Sequence, residues 1–133
     1  MWPEPVERIA RFLRESEAHG QLEQLPEGVE SPPGPRARAE AFECYGNAIV
    51  AVVPDDGEID RARLARRAGC GELRPVQARP FPFQGAQVLV DRSLLSLPTV
   101  WLEAGSPRHF LGLGPPQLMR LTRAETGTFL AAD

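Results

Sequence analysis

The sequence predicts one mixed α/β domain of the α+β type, in which a curled mixed sheet or partial barrel is flanked by helices. The 133 residues are 42% hydrophobic, which suits a single globular core. Segments with helical periodicity lie near the start, the middle and the end of the chain. Short apolar runs separated by proline-rich turns lie between them, and such runs favour a curled sheet over a long flat one. We therefore expect one domain over residues 1–133.

Three helices are predicted from apolar residues at i, i+3, i+4 and i+7 and from residues that begin or end helices. They are Pro5–His19, ended by Gly20; a second helix from the N-cap Asp60 to Gly69; and a third that opens at Pro115. Asp91, which follows the apolar run Gln87–Val90, is expected to cap a shorter helix of sequence DRSLL.

The strand candidates are short apolar runs bounded by turn residues, and they are expected to form one sheet. They are Ala39–Tyr45, Ala48–Val53, Glu72–Val76, Gln87–Val90, Thr99–Glu103 and Phe110–Leu113. The first two are predicted to form a hairpin around a Gly46-Asn47 turn. The segment Pro26–Pro35 is rich in proline and glycine and is predicted to be a loop.

Charge and composition exclude several classes of protein. All 15 basic residues are arginine, so no mechanism that needs an amine side chain is available. The net charge of -3 argues against broad nonspecific binding of nucleic acid, although a few arginines can still contact one end of an RNA. No apolar run reaches the roughly 20 residues of a membrane span, and the first residues lack a signal-peptide core. A cytoplasmic protein without a membrane partner is therefore expected.

The cysteines and histidines give little sign of a metal or redox site. Cys44 and Cys70 are too few for a disulfide framework, and we expect two small buried apolar side chains in a reducing compartment. With only His19 and His109 besides, no spacing resembles a zinc site. The sequence therefore predicts neither a metal nor another cofactor.

Several segments, in their order and spacing, resemble a known family. They are NAIVAVVPDDGEIDRARLARRAG, PFPFQGAQVLVDRSLL, VWLEAGSPRHFLGL and LMRLT, which together cover most of Phe42–Thr122. The resemblance is to the YbaK and prolyl-tRNA synthetase editing-domain family of aminoacyl-tRNA deacylases. It implies a YbaK-like fold and hydrolysis of the ester that joins a wrong small amino acid, such as alanine or cysteine, to tRNA-Pro. The implied partners are the 3′ aminoacyl end of tRNA and a synthetase.

The resemblance also implies site residues. The family's catalytic lysine matches Arg38 in this sequence. The alignment can shift by one or two residues, and a shift places Ala37 or Ala39 at that position instead. Arg38 can clamp an oxygen bidentately but cannot act as a base at neutral pH, and the alternative is a charge on a strand edge. Gly105 and Ser106 lie in a turn whose backbone amides can stabilise an oxyanion. His109 in the same turn is either a contact to the aminoacyl group or ribose, or a structural histidine.

Four further positions complete the predicted substrate site. Phe42 matches an aromatic or aliphatic position of the family, and Asp91 matches a common aspartate that equally serves as a helix cap. Phe81 and Phe83 are expected to line a pocket for a small side chain or to stack on the terminal adenine, with core packing as the alternative. The arginines of the second helix are either tRNA contacts or a solvated face; they are Arg61, Arg63, Arg66 and Arg67.

Three functions remain open from the sequence. The first is a trans-editing deacylase whose catalytic site is built around Arg38 and Gly105. The second is a noncatalytic descendant that binds aminoacyl-tRNA or a synthetase, which the missing lysine favours. The third is binding of a small free amino acid or nucleotide. The apolar faces are accounted for by one core, so a monomer is expected.

Overall fold

The first helix, α1 (Glu4–Glu15), ends earlier than predicted. Residues 1–131 are described by the computed structural model, so the last two residues of the predicted domain lie outside the described part. Ser16 caps α1, and Glu17 takes the left-handed conformation, with a φ of 52°, that was expected of Gly20. The helix therefore ends at Glu15 and not at His19. Gly20 instead lets the chain pass close to the Leu113 side chain.

The predicted hairpin is formed by β2 (Ala37–Cys44) and β3 (Asn47–Pro54), but its turn lies one residue earlier than expected. Cys44 pairs with Asn47, so Tyr45 and Gly46 are the two turn residues, with φ of 48° and 88°. Positive φ at both positions is what a two-residue hairpin turn requires, because it matches the twist of the strands.

The second helix, α2 (Arg61–Ala68), has the predicted ends. The Asp60 side chain accepts hydrogen bonds from the backbone N–H groups of Ala62 and Arg63, and Gly69 ends the helix at a φ of 71°. A 3-10 helix follows Asp91, and α3 (Pro115–Thr122) opens on proline as expected. None of the helices in the described chain is long and apolar enough to cross a membrane.

The strands form two sheets, so the prediction of one sheet is wrong. The remaining strands are β1 (Gln21–Gln24), β4 (Arg74–Val76), β5 (Gln87–Asp91), β6 (Val100–Ser106), β7 (His109–Leu113) and β8 (Glu125–Gly127). One sheet has the order β4-β2-β3-β5-β8, with β3, β5 and β8 parallel, and the other is the antiparallel set β1-β7-β6. A single bridge between Arg36 and Trp101 links the sheets, and they do not close into a barrel. The mixed α/β class is confirmed.

The five-stranded sheet has a cluster of buried side chains on each face. Successive side chains of a strand point to opposite faces, and β2 shows this directly. Ala37 and Ala41 pack into one cluster with Ile9 of α1, and we call this the α1 side. Phe42 and Cys44 pack into the other cluster with Leu64 of α2, and we call this the α2 side.

Cys44 and Cys70 form a disulfide, so the prediction of two unpaired buried cysteines is wrong. The two residues are 26 positions apart in sequence, and that spacing alone says nothing about their distance in space. Packing of Leu64 against the sheet brings the end of α2 beside the end of β2, where the two Cα atoms are 6.2 Å apart. This distance is within the range of disulfide-linked residues.

Candidate functional site

A cavity of about 430 Å³ lies where β2 separates from its neighbours. Its walls come from the first half of β2, the segment after β4, the end of β6 and the start of α1. The lining residues are Pro5, Arg36, Ala37, Arg38, Ala39, Gln77, Ala78, Arg79, Pro80, Phe81, Phe83, Leu102, Glu103 and Gly105. This set contains four of the eight predicted site residues: Arg38, Gly105, Phe81 and Phe83.

The cavity exists because β2 is only partly paired along one edge. On that edge β4 pairs with Ala41–Glu43 and then departs, while β6 meets the chain at Arg36. Between these two points the backbone of β2 borders the cavity instead of another strand. An open strand edge presents hydrogen-bonding groups that an extended ligand can use.

Ala39 lies at the middle of this open edge. In an antiparallel ladder, hydrogen-bonded pairs alternate with pairs whose N–H and C=O groups point away from the partner strand. The backbone oxygen of Arg36 accepts a bond from the Asp55 N–H (2.9 Å), which fixes the alternation along β2. The N–H and C=O of Ala39 therefore point away from β3, towards the cavity.

Phe81 and Phe83 form the apolar wall opposite β2. Their ring centroids are 5.7 Å apart in an edge-to-face arrangement, and Phe81 packs in the same way on Phe12 of α1 at 6.1 Å. Both rings are 5% exposed, so they belong to the α1-side core and to the cavity wall at once. Arg79 stands before this aromatic-proline run, and its guanidinium donates to the backbone oxygen of Gln84 (2.7 Å).

Arg38 borders the cavity, but its side chain is engaged on the α2 side of β2. Its Nε and Nη2 contact the Glu40 carboxylate at 2.9 and 2.7 Å. Its Nη1 donates to the backbone oxygens of Pro54 and Asp55, both at 2.9 Å. Four of the five guanidinium N–H groups are thereby used. Ala39, to which a shift of one residue would move the family's lysine position, faces the α1 side.

Gly105 is where α1 touches β6. Its φ is 91°, and a Cβ at this position would lie 2.8 Å from backbone atoms of Pro5 and Val6. The positive φ occurs within an irregularity in the pairing of β6 with β7, between Glu103 and Ser106. The absence of a side chain lets the start of α1 close one wall of the cavity.

Ser106 and His109 lie next to Gly105 but do not line the cavity. The Ser106 hydroxyl is 2.6 Å from His109 Nδ1 and accepts a hydrogen bond from the Arg108 N–H. His109 is 4% exposed and packs edge-on against Trp2. Its Nε2 has no partner within residues 1–131, and burial lowers the pKa of the imidazole below 6.5. Burial therefore favours the neutral imidazole, and the ring packs against Trp2 of the N-terminal segment.

Phe42 and Asp91 are also outside the cavity. The Phe42 ring is 1% exposed in the α2-side cluster, where the Arg61 guanidinium lies 5.6 Å from its centroid. Asp91 is 3% exposed, and its carboxylate accepts bonds from the Ser93 N–H and hydroxyl and from the Phe129 N–H. Both side chains are thus committed to the core, and neither lines the cavity.

Half of the arginine row of α2 is also committed within the fold. Arg63 donates to the backbone oxygen of Leu130, and Arg67 donates to that of Thr126. Arg61 and Arg66 are the exposed members of the row. The row thus ties α2 to the end of the chain as well as facing solvent.

Among the lining residues that were not predicted as site residues, three matter here: Arg79, Glu103 and Ala39, the last of which was named only as a register alternative to Arg38. An alanine carries no chemical signature, and its use here comes from an unpaired backbone. Arg79 directly precedes the conspicuous PFPF run, so its position was a signal that could have been used. Glu103 lies two residues before Gly105 and is the single carboxylate among the described lining residues.

No protein-family model and no curated protein sequence matches the chain. Solved structures do match it over nearly its whole length. A putative trans-editing enzyme for prolyl tRNA synthetase is 19% identical, with a TM-score of 0.84 and coverage of 99% of this chain and 100% of that chain. A structure from work on epitope backbone grafting onto scaffold proteins is 20% identical (TM-score 0.83, coverage 99% and 100%). A hypothetical protein is 15% identical (TM-score 0.80, coverage 93% and 99%).

The chain has a YbaK-like fold. Within this YbaK-like fold, the cavity offers four kinds of group to a ligand. The aromatic wall contacts an apolar side chain, the open edge of β2 offers one donor and one acceptor, the arginines attract a negative group, and Glu103 can accept a proton. These groups suit a small ligand that has a polar backbone and a short side chain.

Proposed function

We propose that this protein is a trans-editing aminoacyl-tRNA deacylase that hydrolyses the ester of a small amino acid on a mischarged tRNA, such as alanine or cysteine on tRNA-Pro. The observation that carries the proposal is the cavity at the open edge of β2, within a fold shared with a putative trans-editing enzyme. The same cavity is large enough for a small aminoacyl group and too apolar on its Phe81 side for a charged one.

The aminoacyl group is bound as a short addition to the edge of β2. The Ala39 N–H donates to the ester carbonyl oxygen, and the Ala39 C=O accepts from the α-ammonium group. The amino-acid side chain then lies against Phe81 and Phe83, which favour a small apolar group. Main-chain bonding of this kind holds the reacting carbonyl in place regardless of which small side chain is attached.

Hydrolysis requires water to attack the carbonyl carbon and the bond to the ribose 3′ oxygen to break. Glu103 is the cavity residue able to accept the proton from water, because arginine and glutamine side chains are not bases at neutral pH. That proton passes to the departing 3′ oxygen, which leaves as the free hydroxyl. The amino acid leaves as a carboxylate, and the second proton of the water is released to solvent. A donor near Gly105 or Ala39 stabilises the oxyanion between these steps.

In this proposal Arg38 is a positioning residue. Its bonds to the backbone oxygens of Pro54 and Asp55 hold the end of β3 against β2, and its bond to Glu40 fixes the open edge. The charge of the guanidinium still raises the potential at the cavity, while its occupied donors leave it little capacity to clamp a substrate oxygen.

The engagement of the Arg38 side chain by Glu40, Pro54 and Asp55 favours a second candidate function. If a free cation is required for ester cleavage, an Arg38 that is already engaged by the protein leaves a cavity that binds aminoacyl-tRNA without hydrolysing it. This noncatalytic binder uses the same open edge and the same aromatic wall, so binding alone does not separate it from the deacylase.

The decisive experiment is single-turnover deacylation of Ala-tRNA-Pro, Cys-tRNA-Pro and Pro-tRNA-Pro. Wild type is expected to hydrolyse a mischarged species faster than Pro-tRNA-Pro. Glu103→Gln is expected to slow this hydrolysis about 100-fold or more, as loss of a general base does. Glu23→Gln is the matched control, because Glu23 is an exposed carboxylate of β1 in the same sheet and does not line the cavity.

The possible outcomes are distinct. Full activity of Glu103→Gln would support the deacylase but would exclude Glu103 as its general base. Failure of every tRNA to be hydrolysed by folded wild-type protein would reject the deacylase in favour of the binder. Thermal stabilisation by free alanine or adenosine monophosphate, without any effect of aminoacyl-tRNA, would indicate a small-molecule binding protein instead.

A further inference from the structure

The turn that joins β6 to β7 holds a serine and a histidine that do not line the cavity. The Ser106 hydroxyl is 2.6 Å from Nδ1 of His109, and the strand register places the two residues opposite each other. Ser106 is half-buried, whereas His109 is 4% exposed. The residue that carries the hydroxyl thus reaches solvent, while the imidazole is covered.

The hydrogen bonds of this pair leave the serine oxygen able to react. A hydroxyl has one proton and two lone pairs. The Arg108 N–H donates to one lone pair at 3.0 Å, and Nδ1 of His109 can take the proton, so the second lone pair stays free. A serine whose proton is held by a neutral imidazole is activated as a nucleophile.

His109 is suited to be the base of this pair. Burial lowers the pKa of the imidazole, which favours the neutral form that accepts a proton. Trp2 packs edge-on against the ring, with 5.4 Å between the centroids, and limits its rotation. Within residues 1–131 no carboxylate bonds to Nε2, so the pair lacks the third member of a catalytic triad. We therefore expect it to react more slowly than a complete triad.

The backbone before Ser106 supplies donors for an oxyanion. Ala104 and Gly105 have no opposite residue on β7, because the register of the two strands shifts between Glu103 and Ser106. An irregularity of this kind interrupts the hydrogen-bond ladder and is common beside active sites. The N–H groups of this stretch can therefore bind the negative oxygen that forms when the serine attacks a carbonyl group.

The charges at the turn indicate an uncharged substrate. The Arg108 guanidinium donates to the backbone oxygens of Leu25, Pro26 and Val29, so it is not available to bind an anionic group. Trp2 on the histidine supplies apolar surface instead. A small, uncharged acyl ester is the class of substrate that suits these surroundings.

We propose that Ser106 is a nucleophile with His109 as its base, and that the pair forms a second ester-cleaving site for small uncharged acyl esters. Ser106 Oγ bonds to the carbonyl carbon while Nδ1 takes the hydroxyl proton. The bond to the leaving oxygen then breaks as that oxygen takes the proton from Nδ1. Water attacks the acyl-serine by the same route, which releases the acid and restores the hydroxyl. This activity is separate from the proposed function, because neither residue lines the cavity.

A fluorophosphonate probe tests the nucleophile directly, because a reactive serine displaces fluoride and stays bonded to phosphorus. Wild type is expected to be labelled at Ser106, as located by peptide mass spectrometry. His109→Gln is expected to slow labelling about 100-fold or more, since glutamine can form a hydrogen bond but cannot take the proton. Ser96→Ala is the matched control for Ser106→Ala, because Ser96 is an exposed serine whose hydroxyl donates to a backbone oxygen.

Folded wild-type protein that is not labelled, or is labelled at another residue, would overturn the proposal and leave the bond between Ser106 and His109 as a structural feature of the turn. Thermal unfolding of each variant shows whether it is folded. Where Ser106→Ala does not fold, the position of the label in wild type still decides the outcome.

Cleavage itself is measured with p-nitrophenyl acetate. Because all basic side chains of this protein are arginine, no lysine amine contributes background acetylation. Release of p-nitrophenolate is expected to fall about 10-fold or more in Ser106→Ala and His109→Gln relative to Ser96→Ala. Release that is lost in Glu103→Gln and retained in Ser106→Ala would place the cleavage in the cavity, which overturns the second site and keeps the proposed function.

Discussion

The two sides of the five-stranded sheet differ in how completely their polar and apolar groups are satisfied. On the α2 side, Phe42 and Phe129 are buried, Asp91 is saturated with hydrogen bonds, and a disulfide joins β2 to the end of α2. On the α1 side, the core ends at a cavity, and the backbone of Ala39 lies at an unpaired edge.

This difference separates stability from binding. Paired polar groups contribute to folding, whereas an open strand edge costs some stability and leaves bonding groups free. Two of the side chains that the resemblance placed in the substrate site, Phe42 and Asp91, belong to the α2 side, where they are buried. The comparison therefore predicts different consequences for substitutions on the two sides.

The largest effect is expected from Phe42→Ala. Truncation of a fully buried phenylalanine costs about 4 kcal/mol, because the lost burial and the new void both count. Phe81→Ala is expected to cost less, since its ring borders an open cavity, but to reduce deacylation of Ala-tRNA-Pro. Urea unfolding and single-turnover kinetics on both variants test this. A Phe42→Ala protein that is stable and inactive would return Phe42 to the binding site.

Loss of the disulfide is expected to cost about 3 kcal/mol, as closure of a loop of this size predicts. The double variant Cys44→Ala/Cys70→Ala should unfold at a lower urea concentration and should no longer respond to reductant, while the proposed deacylation is unchanged. Urea unfolding with and without dithiothreitol measures this. If wild type unfolds at the same urea concentration in both conditions, the disulfide does not form in solution. Disulfides are rare in cytosolic proteins, so the same measurement bears on the predicted cytoplasmic location.

Gly105→Ala is expected to cost about 2 to 3 kcal/mol, because backbone strain at positive φ is added to a clash with the start of α1. Gly46→Ala isolates the first term: its φ is 88° and nothing lies within 4 Å of the added Cβ, so a loss of about 1 kcal/mol is expected. Thermal unfolding of the two variants gives the difference. Equal losses would mean that α1 moves away from β6 freely.

The smallest effect is a pH dependence from His109. Burial lowers its pKa in the folded state, so its neutral form contributes stability that is complete above the unfolded value of 6.5. That stability is lost as the pH falls from 6.5 through the lower folded-state pKa. Urea unfolding between pH 7.5 and 5 should show this loss, and His109→Gln should reduce it. His19→Gln, the same substitution at an exposed position, is the matched control variant.

The sequence predicted several features that neighbouring residues decide, although the end of α1 was not one of them. The cap at Asp60, the end of α2 at Gly69 and the opening of α3 at Pro115 depend on groups a few positions apart, and all were confirmed. The hairpin turn was displaced by one residue because Gly46 and Asn47 both tolerate positive φ, whereas the register is set by pairing along the strands. The exposed polar strand β1 carries no alternating pattern and could not be found.

The amino-acid sequence by itself determined the order of the three helices and of six strands, both ends of α2, the start of α3, the hairpin and the likeness to a YbaK-like fold. Local hydrogen bonds, side-chain periodicity and the order of short motifs decide these features. Only the tertiary structure decided that the strands divide into two sheets, that Cys44 meets Cys70 and that Ala39 rather than Arg38 faces the cavity. These features depend on which strands lie side by side and where their pairing stops. Such contacts join residues far apart in the chain, and no local pattern encodes them.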